Sequence, residues 1–217
     1  NVTVTNDDGN STAAGTYVEV RNVAPSGLVI EPVVTVDEHQ LATLNLAFDD
    51  PGTEDTHTVS INWGDGSTTE NLTLSVGARN LTTMHQYLDD NPTDTAQDIY
   101  TINVMVTDDD GGTDTNQRVA TINNVLPVLT PISVSGDLIE GETVHIITLF
   151  IDASILDTYA AQIDWGDGTA TESPTIDASI RSGTLSGSHV FIDQGTYMAT
   201  IRVADDDMSG DFENGLV

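Results

Sequence analysis

The chain contains no cysteine and no lysine, only two tryptophans and few other aromatics. Without cysteine no disulfide can staple it and no thiol chemistry is open to it. Cations are almost absent: five arginines (Arg21, Arg79, Arg118, Arg181, Arg202) face 35 acidic side chains, for a net charge of −30. Such a balance excludes nucleic acid and anionic membranes as partners, and it strains a compact state through self-repulsion. No apolar run approaches the ~18 residues of a membrane span, and no signal peptide is visible. His-Glu-x-x-His, Gly-x-Ser-x-Gly and a phosphate-binding glycine loop are all missing, so we read no enzyme here. No convincing helical period occurs either. What remains is alternation of Val, Ile, Leu and Thr with polar residues, the pattern of half-buried strands rather than of an acidic disordered chain.

Two stretches organise that alternation. Ile61-Asn62-Trp63-Gly64-Asp65-Gly66 returns as Ile163-Asp164-Trp165-Gly166-Asp167-Gly168, the tryptophans lying 102 residues apart. Each is a strand ending on a core tryptophan, followed by a glycine-rich turn with positive backbone angles. The same spacing relates Asn1–Gly9 to Asn103–Gly111 and Asn22-Val23-Ala24-Pro25 to Asn124-Val125-Leu126-Pro127. Internal repetition of this length predicts tandem β-domains. We expect residues 1–23 to be the last hairpin of a preceding repeat, with a second β run at Tyr17–Val20. Residues 24–125 form one domain and 126–217 a second with a truncated last strand, the whole a piece of a longer array.

In the first domain the pattern predicts strands at Val29–Val36, Ala42–Phe48, Thr56–Trp63, Thr68–Leu74, Ala78–Tyr87, Tyr100–Thr107 and Gln117–Ile122. In the second it predicts Pro131–Val134, Val144–Ile151, Tyr159–Trp165, Ala170–Ser173, Ser182–Phe191, Thr196–Ala204 and a stub after Asp211. Seven short strands between polar turns predict an all-β fold of tandem Greek-key, immunoglobulin-like sandwiches, stacked into an elongated rod by short Pro25 and Pro127 linkers.

Trp-Gly-Asp-Gly after a strand, His85-x-Tyr87 or His189-x-Phe191, Gly195-x-Tyr197 and a Val-x-Val-x-Asp run together resemble the PKD (polycystic kidney disease repeat) domain. The resemblance covers nearly the whole chain. It departs in an insertion, Asp89–Asp98, where the second repeat has the tight Asp193-Gln194-Gly195 turn, and in the lack of a Phe between Trp and Gly. It implies an extracellular, non-catalytic spacer or interaction module at a cell surface.

Acidic loops carry the remaining signal. In an immunoglobulin-type sandwich the loop after the second strand and the last hairpin loop share the pole where the chain enters. The first repeat brings Asp49, Asp50, Asp108, Asp109 and Asp110 there, with Asn22 from the linker. The second brings Asp152, Asp205, Asp206 and Asp207, with Asp157 a further candidate and Asn123 and Asn124 from the linker. Two carboxylates ~4–5 Å apart repel by roughly 3–4 kcal/mol at an effective dielectric near 20, so such a cluster calls for a cation. A set of hard oxygen ligands in irregular loops suits Ca²⁺, and the lack of cysteine speaks against zinc. The alternative is that these are solvated polar turns. Asp65 and Asp167, expected at the opposite pole near Glu38 and Glu140, read as turn residues, and His85 and His189 as structural histidines bonding a neighbouring loop. Four sequons (Asn1, Asn10, Asn71, Asn80) agree with a secreted setting.

The function expected is a Ca²⁺-stiffened extracellular structural or adhesive repeat. Its partners are neighbouring repeats of the same chain, with self-assembly into fibres or binding to surface and matrix ligands. The competing expectation is a polysaccharide- or protein-binding accessory module of a secreted enzyme, against which the scarcity of free aromatics counts.

Overall fold

The computed structural model describes residues 1–31 and 35–207, an all-β chain with no helix among them. A first hairpin, β1 (Val2–Thr5) with β2 (Ser11–Ala14), stands apart and fully exposed. The following strands are β3 (Ser26–Ile30), β4 (Thr35–Asp37), β5 (Leu41–Asp49), β6 (His57–Asn62), β7 (Glu70–Leu74), β8 (Asn80–Gln86), β9 (Gln97–Asp108) and β10 (Thr113–Asn123). They form one sheet ordered β4-β10-β9-β6-β7 and another ordered β3-β5-β8. After these come β11 (Val128–Leu129), β12 (Ser133–Ser135), β13 (Thr143–Ile151), β14 (Ala160–Asp164), β15 (Thr175–Ser179), β16 (Ser182–Val190) and β17 (Thr200–Ala204). Here β11-β13-β16-β15, with β12 also on β13, makes one sheet and β14-β17 the other.

Each pair of sheets closes on its own core. Strand alternation puts Ile102, Val104 and Val106 of β9 inward, against Leu44, Leu46 and Phe48 of β5 and around Trp63. In the second unit Ile146 and Phe150 of β13 meet Ile163, Ile201 and Val203 around Trp165. Burying each such side chain is worth about 1.5–3 kcal/mol. The inner face of β13 also carries Thr148, whose hydroxyl is satisfied by donating to the Thr130 carbonyl at 2.6 Å. Both tryptophans are almost fully enclosed, and each indole N–H reaches a glutamate on the neighbouring strand or bridge: Glu70 at 3.2 Å, Glu172 at 3.4 Å.

Four expectations need correction. Tyr17–Val20 forms no strand; the residues are exposed, whereas their repeat counterparts Val119–Ile122 pair with β9. The single strand expected over Val29–Val36 is divided. β3 runs antiparallel to β5, while β4 joins the other sheet, parallel to β10. Pro32, which has no N–H to give a ladder, falls in the sequence between them. Ala170–Ser173 contributes one bridge, Glu172 to Ile163, because Pro174 ends the extension; the chain then turns to β15 on the opposite sheet. The strand expected over Thr196–Ala204 begins at Thr200. The stub expected after Asp211 lies outside the described residues.

The glycine after each tryptophan is required by space as well as by conformation. Gly64 has φ +87°, and a Cβ there would lie 2.6 Å from the Thr101 carbonyl oxygen; Gly166 meets Met198 in the same way. Gly64→Ala is expected to cost about 1–3 kcal/mol from the left-handed backbone, with the clash in addition, read as a lowered urea midpoint.

Candidate metal centre

Acidic side chains gather in two places. At the pole of the first unit, Asp50 (just after β5), Asp55 and Asp108 (end of β9) place ligand oxygens within 4.8 Å of one another. Asn22 donates its amide to Asp108 at 2.8 Å. This group is already partly satisfied. Asp50 takes His57 Nε2 at 2.9 Å and the Gly52 N–H at 2.7 Å. Arg79 in turn reaches the Asp50 and Gly52 carbonyls. Asp108 accepts from the Gly112 and Asp110 N–H groups. Burial opposes its ionisation, but these donors with Asn22 hold it below the usual carboxylate range.

The second gathering lies where the two units meet. Asp152 and Asp157, between β13 and β14, and Asp205 and Asp207, following β17, come from the second unit. Glu38, in the turn after β4, and Asp89 and Asp90, after β8, come from the first. Three overlapping groups place ligand oxygens within 4.8 Å: Glu38 with Asp89 and Asp90, Glu38 with Asp152 and Asp157, and Asp89 with Asp157 and Asp207. Glu38 is fixed by the linker: its N–H donates to the Asn123 carbonyl at 2.9 Å, and its Oε1 accepts the Val125 N–H at 2.8 Å. Asp89 and Asp90 follow Tyr87, whose hydroxyl donates to the Trp63 carbonyl, and Tyr100 donates to the Asp89 carbonyl at 3.2 Å. The insertion behind them is closed by Thr93, whose N–H and hydroxyl both reach Asp98.

Here the carboxylates lack protein partners. Both oxygens of Asp90, Asp157 and Asp205, and one each of Glu38, Asp89 and Asp152, are enclosed without a hydrogen bond. The Asn124 amide neighbours Asp205 but meets no hydrogen-bond geometry, so it too is unpaired. Burial, reinforced by Asp157, Asp152 and Asp90, pushes Glu38 up to about 9 despite the Val125 N–H. Burial likewise raises Asp157 to about 7 and Asp152 to about 6, and raises Asp205. Asp90 and Asp207 face each other; burial raises both, the charge of Asp90 raises Asp207 further, and Asp207 partly offsets the rise at Asp90. A buried carboxylate without donors costs several kcal/mol, and a cation is the ligand that removes that cost.

Of the residues expected as ligands, Asn22, Asp50 and Asp108 meet at the first pole, and Asn124, Asp152, Asp205 and Asp207 at the junction. The others stand outside both groups. Asp49 follows inward-facing Phe48 and so points out. Asp109 and Asp206 accept the Thr56 and Thr158 N–H groups, and Asp110 is exposed. Asn123 bridges Asp37 and Gln97. Glu38, Asp55, Asp89 and Asp90 are additions. Asp55 was findable, since it stands to Asp157 as Asp50 does to Asp152; Asp89 and Asp90 belong to an insertion with no such register. Glu38 does not join Asp65. Asp65 instead caps its own turn through Ser67 and accepts from His85 at 2.6 Å, as Asp167 does from Thr169 and from His189 at 2.7 Å. Each histidine also stacks on its tryptophan, at 4.6 and 4.8 Å.

No family model and no curated protein matches the chain. Among solved structures it is similar to a red sea bream transglutaminase, at 11% identity and a TM-score of 0.35 over 87% of this chain. It is also similar to a marsupial T cell receptor, at 8% identity and a TM-score of 0.32 over 82%. The chain spans 30% of the first and 56% of the second. No residue of the acidic groups is assigned from either.

Proposed function

We propose that this chain is a non-catalytic segment of an extracellular structural protein, built of PKD-like, Greek-key immunoglobulin-type repeats whose junctions are stiffened by Ca²⁺. The observation that carries the reading is the junction itself, where enclosed carboxylates from both units lack partners. Without cation these groups repel and the linker is free to open. With Ca²⁺ the same oxygens become ligands, and Glu38, already bonded to Val125, ties the linker to both units. Repeats coupled in this way hold a fixed angle and transmit force, as a spacer, an adhesive stalk or a fibre requires. Extracellular Ca²⁺ sites of the 10⁻⁴–10⁻³ M class suit such a role.

Thermal unfolding in EDTA and across a Ca²⁺ titration tests it, with Mg²⁺ at matched ionic strength as control. At a hundredfold excess over its dissociation constant one site adds about 2.7 kcal/mol. For domains of this size that corresponds to a rise of roughly 10 °C or more. A flat response, or an equal one to Mg²⁺, makes the acidic loops solvated turns and removes the reading.

One feature favours a second reading, an accessory module that grips polysaccharide or protein. At the far end of the second unit a pocket of about 460 Å³ is lined by Leu138, Ile139, Trp165, Phe191 and Tyr197. Retention of the chain on an insoluble polysaccharide, abolished by Ile139→Asp, would move the assignment there.

A further inference from the structure

The junction has more carboxylates than one ion can engage. Oxygens bound to a single Ca²⁺ at about 2.3–2.6 Å lie no more than roughly 5 Å apart. The seven carboxylates at the junction do not form one such set. Six of them, all but Asp205, fall into three sets, which overlap pairwise at Glu38, Asp89 and Asp157 and have no residue common to all three. A single ion seated between Glu38, Asp152 and Asp157 therefore leaves Asp90 and Asp207 unserved. Asp90 is completely enclosed, with neither oxygen hydrogen-bonded, and it faces Asp207 across the boundary between the units. That unpartnered side chain is an observation separate from the clustering of acids.

We propose that the junction binds two Ca²⁺ ions, one held by Glu38 with Asp152 and Asp157, and one centred on Asp89, which shares one set with Asp90 of its own unit and another with Asp207 of the second. This rests on the reading of the junction as a Ca²⁺ site and specifies it. The first ion occupies the pole of the second unit, where Asp152 and Asp157 correspond to Asp50 and Asp55 of the first. The second ion exists because of the residues that open the insertion Asp89–Asp98. At the corresponding turn of the second unit Asp193 is retained, but Gln194 stands where Asp90 does. The second site is thus a property of this junction and not of every repeat. Since each ion has ligands from both units, neither is complete until the units are in register, and ion binding selects one inter-unit angle.

Equilibrium dialysis of the full chain against ⁴⁵Ca²⁺ counts the ions, with unfolding in EDTA as the control for folding. Asp90→Asn and Asp207→Asn lie in different units, and each is expected to bind one ion fewer than the parent. In EDTA both variants melt at or above the parent, because one of two facing negative charges is gone; in Ca²⁺ both melt below it. Exposed Asp94→Asn changes neither quantity. If the parent binds Ca²⁺ and either variant keeps the full count, the second ion is refuted while the Ca²⁺ junction stands. A variant melting below the parent in EDTA makes its carboxylate structural and also overturns the second ion. If the parent binds no Ca²⁺, both conclusions fall.

Discussion

In calcium-free buffer the chain is expected to be more stable at pH 5 than at pH 8, the reverse of the order expected in saturating Ca²⁺ under the proposed function. Glu38 sits near 9 in the folded state against an ordinary 4.5, and Asp157 and Asp152 near 7 and 6 against 3.8. A carboxyl whose folded pKa lies above its unfolded one keeps its proton longer when folded, so folding takes up protons and stability falls as pH rises between the two values. All three, and the raised Asp90, Asp205 and Asp207, act in that sense, over a window from about pH 4 to pH 9. Each tenfold displacement of a protonation equilibrium is worth about 1.4 kcal/mol, and solvent reaching the half-buried members reduces the sum. Below about pH 4 the sign changes. Asp167, held near 2 by Thr169 and His189, and Asp65 and Asp108, also held low, are protonated there and their contribution is lost. On the proposed Ca²⁺ reading the ion takes the deprotonated carboxylates and displaces their protons, so its protection is expected to grow with pH and to invert the slope. Urea midpoints at pH 5 and pH 8, in EDTA and in Ca²⁺, give the four values needed. Midpoints in EDTA that are level or rise towards pH 8 would contradict the repulsive junction.

The second large effect concerns the tryptophans. Trp165→Ala removes an almost fully buried side chain around which Ile146, Ile163 and Ile201 pack, and it also strips His189 of its stacking partner. A loss of about 3–5 kcal/mol is expected, a large part of the 5–15 kcal/mol that holds a typical domain. Trp63→Ala does the same to the first unit, where Tyr87 and His85 lean on the ring or its backbone. The two cores share no residue, so in EDTA each substitution should weaken its own unit and leave the other within a few tenths of a kcal/mol. Because the chain has only these two tryptophans, the remaining one reports fluorescence from the unaltered unit. A Trp165→Ala loss under about 1 kcal/mol would mean that the ring is not the anchor its burial indicates.

Much of this architecture is legible in the chain. The period of 102 residues from Trp63 to Trp165 and the inward alternation of β9 and β13 are written in residue type and spacing. So are the glycines that turn the chain after each tryptophan, because strand faces and turn angles are local properties. Even Asp50 with Asp108, and Asp152 with Asp205, follow from knowing which loops share a pole. The strand breaks at Val29–Val36 and Ala170–Ser173 were less legible. In both sequences a proline interrupts a run of strand-forming residues, and the described strands on either side of it belong to different sheets.

The meeting of Glu38, Asp89 and Asp90 with Asp152, Asp157, Asp205 and Asp207 is decided by tertiary structure alone. These residues lie in separate loops of two units, and nothing in their spacing states which loops will face each other. Glu38 looks like an ordinary turn residue until the Val125 N–H fixes its carboxyl at the boundary. Sequence by itself determined two acidic β-units, each with a tryptophan at its centre. Folding determined where their negative charges are enclosed, because burial and the proximity of like charges are properties of the assembled surface and not of any single stretch of chain.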